Sequence, residues 1–144
     1  MTTTTKQSES VRLGKTECRF LSEGGAGTSM TAFELTVDAG GAVPEAHFHN
    51  VVDELVYGLE GALTYTVDGV PHVLRRGDSL SVPRGHIHSF QNDAEEPARA
   101  LIIMSPGDIG AAFFREIETI VNAGGKPDRA KIHETMLRHG LTPA

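Results

Sequence analysis

Residues Gly41–Gly61 read GAVPEAHFHNVVDELVYGLEG, and the threading of this stretch decides the fold. Side chains two positions apart on a strand point to the same face. An extended His47-Phe48-His49 therefore aims two imidazoles at one point. Glu54, brought in on the next strand after a turn, adds a carboxylate. Glycines at both ends of the stretch mark places where the chain must turn.

A second pattern, GDSLSVPRGHIHSFQN at residues 77–92, lies one hairpin further on. The intervening Ala62–Arg76 alternates, with Leu63, Tyr65 and Val67 on one face, and turns at Asp68-Gly69, a strong hairpin signal. Such a hairpin brings His88 beside the first three residues. Three imidazoles and one carboxylate suit one divalent transition metal, Mn, Fe, Co, Ni, Cu or Zn. They suit calcium and magnesium poorly, since these prefer oxygen ligands. Four protein ligands on a metal that accepts five or six leave open positions, as in a reactive site rather than a closed structural one. Neutral imidazoles and one carboxylate leave such a site net positive, so it favours a small molecule that is anionic when bound.

Together the two patterns resemble the paired signature motifs of the cupin superfamily, over Gly41–Asn92 and with the glycines and Pro83 included. The resemblance implies an all-β double-stranded β-helix, or jelly roll. It implies metal ligands at His47, His49, Glu54 and His88, and it selects Glu54 over the adjacent Asp53, which then faces solvent. It implies a homodimer. The general layout, a single barrel with a helical C-terminal extension, is similar to small bacterial cupins likened to quercetin dioxygenases.

The flanking sequence reads consistently with a barrel. Met1–Ser10 is Thr/Ser-rich and is expected to be a disordered arm. Residues 11–105 read as the barrel. Val11–Leu21 reads as a strand, a glycine-rich loop follows, and Met30–Val37 alternates as a half-buried strand. Short runs between regular turn signals continue to the apolar strand Arg99–Met104. Residues 106–144 read as short helices. The first opens at Pro106-Gly107-Asp108 with Asp108 as N-cap, carries an apolar stripe of Ile109, Phe113, Ile117 and Ile120, and stops at Gly124-Gly125. The second runs from Asp128 to His139.

Around the metal, Gly58, His86, Phe90 and Met104 are candidates for the substrate pocket. Gly58 shares Glu54's strand face and either opens room there or marks a bulge. His86 reads as a loop histidine at the mouth, with a proton-relay role as the alternative. Phe33, Tyr65, Ile102 and Met104 read first as core. His72, His133 and His139 read as surface residues. Phe113-Phe114 reads as helix-packing core, with a lid over the barrel as the sharper alternative.

The 144 residues carry a net charge of −6 and show no basic stripe, which argues against nucleic acid and anionic membranes as partners. One cysteine, Cys18, excludes an internal disulfide. Without an apolar leader or a membrane-length apolar run, a cytoplasmic protein is expected. The leading functional expectation is a metal-dependent dioxygenase acting on a small enol, diketone or phenolic compound, with Glu54 as the catalytic base. The alternatives are a metal-dependent isomerase or lyase of a sugar or keto acid, and a non-enzymatic small-molecule-binding cupin.

Overall fold

Two antiparallel sheets face one another and enclose the core. The computed structural model describes residues 9–43 and 45–144. The strands are β1 (Ser10–Leu13), β2 (Thr16–Ser22), β3 (Thr31–Val37), β4 (His47–His49), β5 (Asp53–Glu60), β6 (Leu63–Val67), β7 (Val70–Leu74), β8 (Ser79–Val82), β9 (His88–Gln91), β10 (Ala98–Ser105) and β11 (Leu141–Pro143). Two helices, α1 (Ala111–Val121) and α2 (Arg129–Arg138), lie between β10 and β11. One sheet has the order β1-β2-β3-β10-β5-β8 and the other β11-β4-β9-β6-β7. The all-β jelly roll with short C-terminal helices is the observed architecture. Among the described residues no helix is long and apolar enough to cross a membrane.

Alternation puts one face of each strand inside. On β5, Glu54 and Val56 are buried while Asp53, Leu55 and Tyr57 are exposed. On β10, Ala98, Ala100, Ile102 and Met104 are buried, and this strand pairs with both β3 and β5. Phe20, Phe33 and Phe114 form a triangle of rings with centroids 5.2–5.4 Å apart, each pair contributing about 0.5–1.5 kcal/mol beyond its buried area. Phe114 comes from α1, so the helix is pinned to the barrel by the same cluster. On the opposite, outward face, Glu34 accepts hydrogen bonds from Arg19 and Arg99 across three neighbouring strands.

Three local readings need correction. Val11–Leu21 is a hairpin, not one strand: Gly14 adopts φ +61 and the chain reverses there, so that Val11 pairs with Cys18. The expected arm at Met1–Ser10 lies outside the described residues as far as position 8, and Ser10 already belongs to β1. Helix α1 is capped by Gly110 and not by Asp108, because the chain runs extended through Gly110 and the Ala111 amide donates to the Glu23 carbonyl. For α2 the expected cap holds, the Asp128 carboxylate accepting from the Lys131 amide. Beyond α2, Gly140 turns with φ +85 and the chain rejoins the barrel as β11, an outer partner for β4 that the helical reading of 106–144 does not contain.

Asn92 closes the second sequence pattern. Its side chain is buried and donates to the carbonyls of Val37 and Glu96, and accepts from the Ala94 amide. One side chain thereby satisfies two backbone groups of the loop that leads into β10 and ties that loop to the end of β3.

Candidate metal centre

Strand β4 runs beside β9 with His47 directly opposite His88. His49, two residues on, shares their inward face. The three rings pack edge and face, with centroids 4.6–5.2 Å apart. One ring nitrogen from each of His47, His49 and His88 lies within 4.8 Å of the others, a group able to hold a metal ion. Glu54 faces them from the other sheet. Its Oε1 is 4.0 Å from Nε2 of His49 and 4.0 Å from Nε2 of His88. The carboxylate thus arrives across the barrel rather than on a neighbouring strand.

The imidazoles are held from behind. His47 Nδ1 is 2.8 Å from the Glu45 carbonyl and His88 Nδ1 is 3.0 Å from the His86 carbonyl. A carbonyl only accepts, so both Nδ1 atoms carry the proton and both Nε2 lone pairs face the centre. Burial, and then the charge of His88, push the His47 pKa down to about 4; the same causes, with His47 added, push His49 to about 2. Both rings are therefore neutral at neutral pH, the form that binds metal. His49 Nε2 is buried without a hydrogen-bond partner. An orphaned buried nitrogen costs about 1–3 kcal/mol, and a metal held by this nitrogen, its two neighbouring imidazoles and the carboxylate would remove that cost. The donor set fits a divalent transition metal.

Tyr65, on β6, donates from its hydroxyl to Glu54 Oε2 at 3.0 Å. This leaves Oε1 free toward the histidines. Burial raises the Glu54 pKa, opposed by His88 and by the Tyr65 hydrogen bond. Sequence reading placed Tyr65 in the core and missed this contact. The available signal was that a buried tyrosine requires a partner for its hydroxyl. Tyr65→Phe is expected to weaken metal binding about 10–100-fold without unfolding the chain, measured by competition against a chelating dye; unchanged affinity would show the bond to be idle.

A cavity of about 90 Å³ opens off these residues, lined by Cys18, Phe33, Phe90, Ile102 and Met104 from the barrel and by Phe113, Phe114, Ile117, Ile132 and Met136 from the helices. Phe90 and Met104 line this cavity, and Phe113-Phe114 contributes both to the core and to the cavity's wall. Gly58 and His86 do not line it. A Cβ on Gly58 would lie 2.1 Å from the Arg75 carbonyl oxygen, so the glycine admits the β7–β8 turn and opens no space for a ligand. His86 is half exposed and its Nδ1 is 2.6 Å from the Asp68 carboxylate, outside the barrel. Asp53 also faces outward, bonded to the amide and guanidinium of Arg84. His133 and His139 are only partly exposed. Each is bonded to a glutamate, His133 to Glu45 and His139 to Glu116. Because the Glu45 carbonyl holds His47 while its side chain holds Arg129 and His133, α2 is tied to the centre through one residue.

A family profile for the cupin domain matches residues 33–104, half of the chain. The chain belongs to the cupin family, whose members bind small molecules and typically a divalent metal. It is 33% identical over 82 residues to protein SchB of Streptomyces halstedii, covering 54% of this chain and 59% of that one. It is 37% identical over 60 residues to the tetracenomycin polyketide synthase protein TcmJ of Streptomyces glaucescens, covering 42% and 40%. Quercetin 2,3-dioxygenase of Bacillus subtilis (strain 168) is 34% identical over 71 residues, covering 49% of this chain and 20% of the enzyme. The chain thus spans from a fifth to about three fifths of these relatives' lengths. Among solved structures, a cupin-superfamily sugar phosphate isomerase from Silicibacter pomeroyi aligns with a TM-score of 0.58 at 25% identity, over 65% of this chain and 60% of that one. KdgF from Halomonas sp. aligns at 0.60 and 19% identity, over 70% and 86%, a likeness of fold alone.

Proposed function

We propose that His47, His49, Glu54 and His88 together bind one divalent transition metal, and that the protein is an oxidoreductase, a dioxygenase, acting on a small enol, diketone or phenolic compound. The observation that carries this reading is a focus of three imidazoles and a carboxylate in the wall of a cavity whose lining, among the described residues, contains no lysine or arginine. The metal would supply Lewis acidity and a meeting point for substrate and dioxygen. The chain's residues do the rest. The apolar wall of Phe33, Phe90, Ile102 and Met104 excludes water and packs against a ring or an acyl chain. Glu54, its carboxylate pKa raised by burial, takes the proton from an acidic enol or phenol. Tyr65 keeps the carboxylate oriented while it does so.

The likeness to a quercetin dioxygenase and to polyketide synthase proteins supports this substrate class, since polyketides bring 1,3-diketone and phenol groups. The likeness to a sugar phosphate isomerase supports an alternative, enediolate chemistry without oxygen. The cavity lining, which among the described residues has no lysine or arginine to receive a phosphate, favours the first. The test is an oxygen electrode with the metal-loaded protein and a panel of flavonols, 1,3-diketones and catechols. Oxygen uptake matched to substrate loss is expected; conversion without uptake would overturn the dioxygenase reading in favour of the isomerase. A homodimer, as in similar cupins, is part of this proposal, and sedimentation velocity tests it.

A further inference from the structure

One polar group in the cavity wall has no role in the centre described above. Thr16 lies on β2, is 4% exposed, and lines the cavity. Its Oγ1 is buried and has no hydrogen-bond partner among the described residues. Thr16 shares the inward face of β2 with Cys18 and Phe20. The Cys18 thiol lies near enough to Glu54 and Tyr65 for their charges to act on one another. Thr16 stands one same-face step beyond Cys18, about 7 Å further along the strand. Leu13, its partner across the β1–β2 hairpin, and Leu35 and Val43, which line the same cavity, are apolar.

An unpaired hydroxyl in an apolar wall is costly unless something in the cavity pairs with it. We propose that Thr16 is a specificity-determining residue. It pairs with a polar group at the far end of an elongated, mainly apolar ligand whose other end, an oxyanion, lies at His47, His49, His88 and Glu54. This rests on the reading of those four residues as a metal centre. It adds a substrate length and a second functional group. The ligand carries an oxygen function at each end, separated by an aromatic ring or more, and is apolar between them. A hydroxyl both donates and accepts, so Thr16 takes a phenol or a carbonyl at that end.

The test compares Thr16→Val, which keeps the shape and removes the hydroxyl, with Thr16→Ser, which keeps the hydroxyl. Metal-loaded wild type and both variants are titrated by calorimetry with matched pairs: benzoate and 4-hydroxybenzoate, cinnamate and 4-hydroxycinnamate. In wild type and T16S, one hydroxylated probe is expected to bind about tenfold tighter than its partner, and T16V is expected to lose that preference. T16V without ligand is expected to melt at or above wild type, because the substitution removes an unpaired polar atom. Identical within-pair ratios in wild type and T16V would overturn the proposal. So would a marked fall in T16V stability, which would mean that the hydroxyl is a structural bond. Metal content measured on the same samples separates this outcome from a failure of the metal reading. The preference is read within each pair and does not depend on what holds the carboxylate.

Discussion

Replacing His49 by alanine is expected to leave the purified protein with less than about 0.1 metal per chain, against about one in wild type, even after incubation with Mn, Fe, Co, Ni, Cu or Zn. His49 completes the triangle of imidazoles. Its ring contacts those of His47 and His88, and its Nε2 is 4.0 Å from Glu54 and has no other partner. The metal-free fold loses the packing of one buried ring and that ring's hydrogen bond to the Val52 backbone, which is expected to lower Tm without abolishing the fold. The variant is thus expected to keep its circular dichroism spectrum and a single thermal transition while losing the upward shift in Tm that metal gives wild type. Asp53→Ala is the matched control: that carboxylate faces Arg84 at the surface, and its loss is expected to leave metal content unchanged. Full metal loading in H49A, measured by mass spectrometry of the eluted metal, would remove His49 from the centre and the four-residue reading with it.

Gly58→Ala is expected to be the most damaging of the small substitutions. The added methyl would meet the Arg75 carbonyl oxygen at 2.1 Å and the Arg75 carbonyl carbon at 2.8 Å. Both are backbone atoms, so no rotamer change relieves the clash. The same short approach carries two hydrogen bonds, from the Gly58 amide to the Asp78 carbonyl and from the Gly77 amide to the Gly58 carbonyl. Separating the two segments stretches both. A loss of about 3 kcal/mol follows from overpacking of this kind, a fall in Tm of roughly 10 °C for a chain of this length. Gly69→Ala gives the contrast. It sits at φ +82 with nothing within 4 Å of a Cβ, and so costs only backbone strain of about 1 kcal/mol. If thermal melts show G58A no worse than G69A, the close approach is not a constraint on the fold.

Gly58 also shows where sequence stops being legible. Strand parity is local, and it correctly put His47 with His49 and Glu54 on an inward face. The hairpin signal at Asp68-Gly69 was enough to bring His88 alongside. Parity also put Gly58 on Glu54's face, and the residue is indeed buried. What lies opposite depends on the irregular pairing between β10 and β5 at Arg99/Ala100 and on the turn at Arg75–Asp78, neither of which the residues near 58 encode. The same distinction explains the bond between Tyr65 and Glu54, which join across facing sheets. It explains β11 too, whose three residues have no strand signal of their own and are extended because β4 offers an open edge. The break at Gly14 was local and was available: a glycine in mid-strand is a turn signal.

Strand β10 lies between β3 and β5, and nothing in the larger sheet holds these two together without it. It follows all four centre-forming residues in the chain, and β4 finds its outer partner only at Leu141–Pro143. Most pairings that align the imidazoles with the carboxylate therefore join distant segments, whose loop-closure entropy must be overcome before the contacts repay it. A chain of this topology is expected to fold slowly for its size, with the three histidines reaching their spacing late. The His-x-His pair alone is a weak trap for a metal while the chain is still forming. On the proposed reading of the centre, an ion would then be selected by the finished cage, and the metal supply after folding would decide what the protein carries.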